Sequence, residues 1–565
     1  MSVQAMELRQ PPSPSMLPRT QEILASVSLW WELKAKQAGL AGPWLDVTQA
    51  LAAQPPEPLA RMEPSFEINA GISPERLGEL YVGSLDVSSR SKHGQHYTPS
   101  VLADRLWAMT REALEMTRGR DQMLPGLIRD PACGAGALLL PPLREHLRAS
   151  AGVDPAMTVR ALPSKICGVD QDPWSAWLTN VVLASETLRT LARVPESHRT
   201  PIPVLAEAGD GLAKGREKTL ATIMNPPYGR LRLTEGVRAD WAHVLYGHAN
   251  IYGIFMASGA ENIHDGGVLA CLVPTSFTAG RYFHRLRGHL AEALPLYSIN
   301  FVDGRQGVFA GVLQETCLVT FRRNGARKVK VTRSNETVQP VAEVPVPKGD
   351  GPWLLPREST DAAVAAAAAR MPLTLEAAGW HAATGPLVWN RRKPDLYSQS
   401  ATNRATVLWA ADIDGGHVHR DAARDSMRYL ALTMKSDIDV MVLDEPAILV
   451  QRTTAPEQQR RLVAAELDPA ALVRFGGRVV AENHLNVLRP TVPVPLISRA
   501  TLARVLQTKT MDRLMRCISG SVAVSSYEID SLPLPRADVL ASWEGMSGPR
   551  LEQAVAVAYL PGEKR

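Results

Sequence analysis

Between about residues 90 and 335, short apolar runs alternate with amphipathic stretches. The runs are Leu127-Ile128, Ile166-Cys167-Gly168-Val169, Ile202 to Leu205, Thr222-Ile223-Met224, Val268 to Val273 and Leu318 to Phe321. Strand–helix alternation of this kind predicts an α/β domain built on a mainly parallel sheet. Open sheets of that type bind ligands outside the carboxyl ends of their strands. Four successive runs end in residues suited to ligand binding, namely Asp130-Pro131-Ala132-Cys133-Gly134, Gly168-Val169-Asp170, Gly209-Asp210-Gly211-Leu212 and Asn225-Pro226-Pro227-Tyr228.

The last of these carries the most chemistry. Each proline fixes φ near −65° and removes an N–H donor, so the carbonyls around Pro226 and Pro227 are held as acceptors. Asn225 Oδ1 and the Pro226 carbonyl can then both accept from one planar amino group, with Tyr228 as a plate for a flat ring. Such a pocket suits an exocyclic amine, adenine N6 above all. The small residues after Asp130 let backbone approach a ligand closely, Asp170 is placed for ribose hydroxyls, and Asp210 for an adenine amino group. Each acid alone reads more readily as a helix N-cap or turn residue than as a ligand contact. Three in succession before Asn-Pro-Pro-Tyr do not.

This order of motifs resembles the S-adenosylmethionine-dependent methyltransferases that act on amino nitrogens. Gly94-Gln95-His96-Tyr97-Thr98-Pro99, upstream of the Asp130 strand, narrows the resemblance to the gamma-class N6-adenine DNA methyltransferases of type II restriction–modification systems. Asn250-Ile251-Tyr252-Gly253-Ile254-Phe255 and the run from Gly266 to Phe277 fit the same class. In the C-terminal region, the stretches from Thr384 to Arg391, Gln451 to Thr454, Glu482 to Leu485 and Ser519 to Ser521 are similar to target-recognition segments.

The resemblance implies a class I methyltransferase fold, Rossmann-like with a mainly parallel seven-stranded sheet, followed by an α+β target-recognition domain. It implies that Tyr97, Thr98 and Pro99 border the methionine end of S-adenosylmethionine, and that Asp130, Ala132, Cys133 and Gly134 line its binding turn. Asp170 is expected on the ribose and Asp210 on the cofactor's adenine. Gly211 stands where many relatives carry a residue touching that adenine, so the contact falls to Leu212. Phe283 matches an aromatic that stacks on the far side of a flipped base. The expected reaction is site-specific methylation of adenine N6 in double-stranded DNA, with Asn225, Pro226, Pro227 and Tyr228 at the reacting amine. The resemblance allows for a separately encoded cognate restriction endonuclease and does not set the oligomeric state.

Domain limits follow from composition: a helical extension over 1–85, a catalytic domain over 86–335, a breaker-rich linker over 336–356, a recognition domain over 357–540 and a tail over 541–565. The net charge of +5 is mild, permitting a polyanionic partner without requiring one. Basic clusters are more pointed: Arg322 to Arg333, Arg391-Arg392-Lys393, and Arg452 with Arg460-Arg461 are candidate phosphate contacts. The five cysteines lack metal or disulfide spacing, Met1 to Arg19 has no apolar secretory segment, and no run approaches a membrane span, so a reducing cytosol is expected. The competing readings are a fused restriction–modification enzyme, for which the N-terminal region offers no Asp…Glu-x-Lys constellation, and an RNA or protein amino-group methyltransferase. The latter usually lack both the Tyr97 motif and a C-terminal domain of this length.

Overall fold

Nine strands form one sheet in the order β3-β2-β1-β4-β5-β7-β6-β8-β9. They are β1 (Ile128–Asp130), β2 (Ile166–Asp170), β3 (Ala206–Ala208), β4 (Thr219–Met224), β5 (Ile263–Pro274), β6 (Leu296–Val302), β7 (Thr316–Arg322), β8 (Lys328–Ser334) and β9 (Val338–Pro345). This computed structural model describes residues 17–59, 69–86, 96–229, 233–248, 250–303, 315–324, 327–454, 458–518, 520 and 523–559. Gly94, Gln95, Ser519 and Ser521, along with both ends of the chain, lie outside the described residues.

The first seven strands carry the class I methyltransferase order, parallel except for β7, which runs antiparallel between β5 and β6. The sheet has nine strands where seven were expected, because β8 pairs parallel to β6 and β9 folds back on β8. Lys328 to Ser334 alternates apolar and polar residues, a half-buried strand pattern. β9 occupies 338–345, within the stretch that composition marks as a linker. The third strand also lies slightly later than expected. Ile202 makes only an isolated bridge to Leu51, and the pairing with β2 is made by Ala206 to Ala208.

The alternation of side chains along β5 explains how the sheet is buried on both faces. Val268, Ala270 and Leu272 enter one core with the helices Pro18–Gln37, Ser100–Ala113 and Pro173–Ala192. Leu269, Cys271 and Val273 enter a second core with the helices Ile251–Glu261 and His284–Ala293. A stretch buried on both sides must be apolar, as β5 is from Val268 to Val273. The N-terminal helices share the first core: Ile23, Trp30 and Trp31 are all at most 1% exposed.

The C-terminal region contains a four-stranded and a five-stranded sheet with helices around them, an α+β arrangement. Two helices, Arg499–Leu506 and Lys509–Ile518, follow one another near its end. Arg287, fully buried, joins this region to the catalytic sheet. Its guanidinium donates to the Phe277, Gly280, Asp350 and Gly351 carbonyls and to the Tyr527 hydroxyl. Among the described residues no helix is long and apolar enough to cross a membrane.

Candidate active site

The strand-end motifs converge because β1 lies between β2 and β4, with all three parallel. Their carboxyl ends therefore stand side by side, about 5 Å apart. At β1, the chain leaves Asp130 in a turn whose Gly134 has φ +52° and whose Gly136 has φ +82°. Both are left-handed values that favour glycine. A Cβ at Gly134 would meet nothing within 4 Å, so this turn faces open space.

Asp130 is 2% exposed, and its Oδ1 accepts from the Ala132 N–H at 3.0 Å. Burial pushes its carboxyl up to about 8, against the lowering effect of that hydrogen bond, with the nearby Asp170 charge adding to the rise. Asp170 ends β2 with Oδ2 accepting from Gly134 N–H (2.9 Å) and Oδ1 from Asp172 N–H (2.9 Å). Burial raises it to about 6. Each of its oxygens keeps a lone pair for a hydroxyl donor. Asp210 follows β3, its Oδ1 accepting from Leu212 N–H at 2.9 Å.

Gly211 has a packing role. A Cβ there would lie 1.9 Å from the Pro131 carbonyl oxygen, so only glycine lets the loop after β3 close on the Asp130 turn. Cys133 is buried at 5%, its Sγ 3.7 Å from the Thr179 hydroxyl, and burial pushes its thiol up. It packs beneath the turn, where Gly168 makes room for it: a Cβ on Gly168 would come 2.9 Å from Cys133 Sγ.

At the end of β4, Asn225 is held from both sides. Its Nδ2 donates to Thr98 Oγ1 at 3.0 Å, and its Oδ1 accepts from the Tyr228 hydroxyl at 2.6 Å. That hydroxyl also lies 2.9 Å from the Leu272 carbonyl oxygen of β5. Burial holds the Tyr228 phenol well above its usual range, so it remains a donor. Its ring meets Tyr252 edge to face at 6.1 Å. Thr98 is 5% exposed, in a segment that Pro99 ends by leading into the helix Ser100–Ala113. Tyr97 packs over Gly78, whose Cβ would clash with the ring at 2.7 Å. Its hydroxyl is buried without a hydrogen-bond partner. The open turn at Gly134, beside Asp170 at the neighbouring strand end, fits the close backbone approach and hydroxyl acceptors that S-adenosylmethionine requires.

Phe283 lies in the wall behind this site. It is 6% exposed and tilts at 32° against Tyr252 with centroids 5.1 Å apart, while Tyr252 hydrogen-bonds Ser276 Oγ at 2.9 Å. One face of Phe283 is thus committed to Tyr252. Leu272 and Ser276 fall within the run from Gly266 to Phe277, but their contacts with Tyr228 and Tyr252 are made across elements and leave no signal in that motif.

The basic clusters behave differently from the strand-end motifs. Arg392, half-buried, forms an ion pair with Asp395 at 2.5 Å and a bidentate one with Asp437 at 3.0 and 3.1 Å. Those hydrogen bonds pull the Asp437 carboxyl down to about 2. Arg391 and Lys393 are exposed, with Lys393 Nζ 5.0 Å over Trp389. Arg452 donates to the Asn483 carbonyl at 3.1 Å, and Arg460 to that of Gln507 at 2.5 Å. In the Arg322 to Arg333 stretch, five residues pair with acids: Arg322 with Glu115, Arg323 with Asp265, Lys328 with Glu343, Lys330 with Glu112, and Arg333 with Asp303 and Glu358. Much of the positive charge legible in sequence is neutralised locally.

The comparisons agree with the fold and with the resemblance drawn from the motifs. No family model matches the chain. It is 23% identical over 332 residues to the type II methyltransferase M.PstI of Providencia stuartii, a match covering 56% of this chain and 65% of that protein. The chain thus spans just under two thirds of the length of M.PstI. To the type II methyltransferase M.BsuBI of Bacillus subtilis it is 22% identical over 356 residues, covering 59% and 68%. Among solved structures, the type IIL restriction-modification enzyme MmeI in complex with DNA superposes with a TM-score of 0.52 at 13% identity, over 88% of this chain and 80% of that one.

Proposed function

We propose that this chain is a site-specific DNA methyltransferase that moves the methyl group of S-adenosylmethionine to adenine N6. The observation that carries the proposal is Asn225, gripped between Thr98 and Tyr228 at the end of β4, beside the acid-lined end of β1. The similarity to M.PstI and M.BsuBI supports a modification role, and the DNA in the MmeI structure supports a nucleic-acid substrate.

When bound, S-adenosylmethionine supplies a methyl group on a sulfonium, electrophilic without further activation. Asp170 would take its ribose hydroxyls, and Asp210 its adenine amino group. The Tyr97 hydroxyl, with no partner inside the protein, would meet its methionine end. Asp130 sits beneath the binding turn, fixing it through the Ala132 N–H.

An adenine amine is a poor nucleophile because its lone pair is delocalised into the ring. Asn225 Oδ1 and the Pro226 carbonyl would accept its two hydrogens and favour a pyramidal nitrogen with its lone pair directed outward. Oδ1 has a second lone pair, so it can serve the amine while still holding the Tyr228 hydroxyl. The neutral amine attacks first and loses its proton afterwards, so no side-chain base is assigned. Positioning and electrostatic complementarity supply the rate. A base inside a duplex cannot reach this pocket, so extrusion at a cost of a few kcal/mol is part of the cycle. Stacking on Tyr228 would return about 1–3 kcal/mol of that.

The test is to express the protein in cells lacking adenine methylation and sequence their DNA with modified-base detection, using Asn225→Ala as control. N6-methyladenine within one sequence motif, absent from the control, is expected. Unmodified DNA, or methyl groups found only in RNA or protein, would refute the reading. Cleavage of unmodified DNA by the same purified chain with Mg2+ would favour a fused restriction–modification enzyme.

A further inference from the structure

We infer that His243, Glu261 and His289 form a binding site for a divalent transition-metal ion of the zinc type. The three come from different elements. His243 lies in the turn after the helix Glu235–Asp240, Glu261 ends the helix Ile251–Glu261, and His289 lies within the helix His284–Ala293. One ligand atom from each lies within 4.8 Å of the other two. Glu261 Oε1 stands between the imidazoles, 3.0 Å from His243 Nε2 and 3.8 Å from His289 Nε2. Bonds of about 2.0–2.2 Å from a tetrahedral ion require ligand–ligand separations of roughly 3.4 Å. The two observed distances bracket that value.

Two further observations favour a ligand over a surface ion pair. His289 Nε2 is buried with no hydrogen-bond partner, at 3.8 Å too far from Glu261 to bond it directly. A buried imidazole nitrogen left this way is costly unless something binds it. His243 is meanwhile held in orientation by stacking on Trp241, 5.9 Å away at 28°. Imidazole and carboxylate together suit zinc and its neighbours better than magnesium or calcium. The outer sides of His243 and Glu261 are exposed, leaving water to complete the coordination.

The site's placement suggests what a bound ion would do. The helix ending at Glu261 begins at Ile251, whose N–H donates to the Gly229 carbonyl just past Tyr228. The helix holding His289 begins directly after Phe283. An ion here would pin both helices and the 241–244 turn together, bracing the wall that carries Tyr252 and Phe283.

The experiment uses the full chain without a polyhistidine tag, stripped with chelator and then given Zn2+ or Co2+ alone. After desalting, elemental analysis should find about one ion per chain, with a cobalt spectrum typical of low coordination number and an upward thermal shift. His243→Gln and Glu261→Gln each alter an exposed group and should fold normally, as the melting of the metal-free proteins will check. Both should abolish retention and the thermal shift. Failure of the wild type to retain metal would overturn the inference. So would retention unchanged in both variants, which would put the ion elsewhere. Neither readout needs DNA or methyl transfer, so the outcome is independent of the proposed activity.

Discussion

The Tyr228 hydroxyl lies 2.6 Å from Asn225 Oδ1, so the proposed aromatic plate and the proposed amine acceptor are tied to each other. The same hydroxyl reaches the Leu272 carbonyl at 2.9 Å, anchoring the pair to β5. Thr98 completes the hold from the other side of the carboxamide. Asn225 therefore has little freedom to rotate, and its second Oδ1 lone pair has a fixed direction. A site that works by positioning needs that rigidity.

This arrangement separates two roles of Tyr228. Tyr228→Ala loses both plate and anchor and should cut kcat by at least ~100-fold, equivalent to roughly 3 kcal/mol. Tyr228→Phe keeps the plate and loses only the hydroxyl, so kcat should fall by about 10-fold, the value of one hydrogen bond. Asn225→Ala should fall furthest while cofactor affinity stays within a few-fold. Single-turnover methylation with a cofactor titration checks all three. Equal losses for the Phe and Ala variants would show that the ring contributes nothing.

Asp130 gives the apoprotein a pH signature. Its carboxyl is raised to about 8 in the fold and returns to an ordinary value near 4 on unfolding. Between these values the folded state holds the proton more tightly, so stability is fully present below pH ~4 and declines as pH rises toward 8. The slope from this one group is at most ~1.4 kcal/mol per pH unit. Asp130→Asn can keep the acceptor for the Ala132 N–H without the titration. Its melting temperature should match wild type near pH 4 and exceed it increasingly up to pH 8. Parallel melting curves across that range would refute the assignment.

The strand-end motifs were legible because their chemistry is local: an acid or carboxamide at the end of an apolar run projects where the sheet places it. Asp130, Asp170, Asp210 and Asn225 all occupy such ends. The partners of those residues are set by topology instead. Thr98 meets Asn225 across 127 positions of sequence, and Leu272 contributes only backbone. The added hairpin of β8 and β9 was hidden for a related reason. Its outer strand, β9, lies at the sheet edge with a mostly exposed polar face and includes Pro340 and Pro345, which composition reads as a break. A run of arginines likewise does not reveal which of its members pair with distant acids, as Lys330, Arg322 and Arg392 do with Glu112, Glu115 and Asp437.

Gly211 offers a test of packing against recognition. If its place were simply to leave room for a cofactor ring, Gly211→Ala would alter affinity alone. Because the new Cβ would lie 1.9 Å from the Pro131 carbonyl, the substitution should instead push the two loops apart. A loss of about 1–3 kcal/mol in stability is expected, together with weakened cofactor binding. Denaturant titration of the apoprotein reads the first effect and calorimetric cofactor titration the second. Unchanged apoprotein stability would rule out the close approach.

The cluster Arg391-Arg392-Lys393 divides into residues free to meet phosphate and one that is not. Arg392 is committed to Asp395 and to Asp437, whose side chain is only 2% exposed. Arg392→Ala would leave that buried carboxylate with only the Thr433 and Met434 N–H groups and the Thr433 hydroxyl. The expected cost is roughly 2 kcal/mol of stability, with little change in the salt dependence of DNA binding. Arg391 and Lys393 are exposed, and each phosphate contact they would make in the proposed DNA complex would release counterions. Arg391→Ala and Lys393→Ala should leave stability within about 0.5 kcal/mol of wild type and reduce the slope of log K against log salt by about 1 each. Binding isotherms at several salt concentrations, paired with melts of the same proteins, distinguish the two behaviours. A salt slope changed by the Arg392 variant and untouched by its neighbours would reverse this assignment.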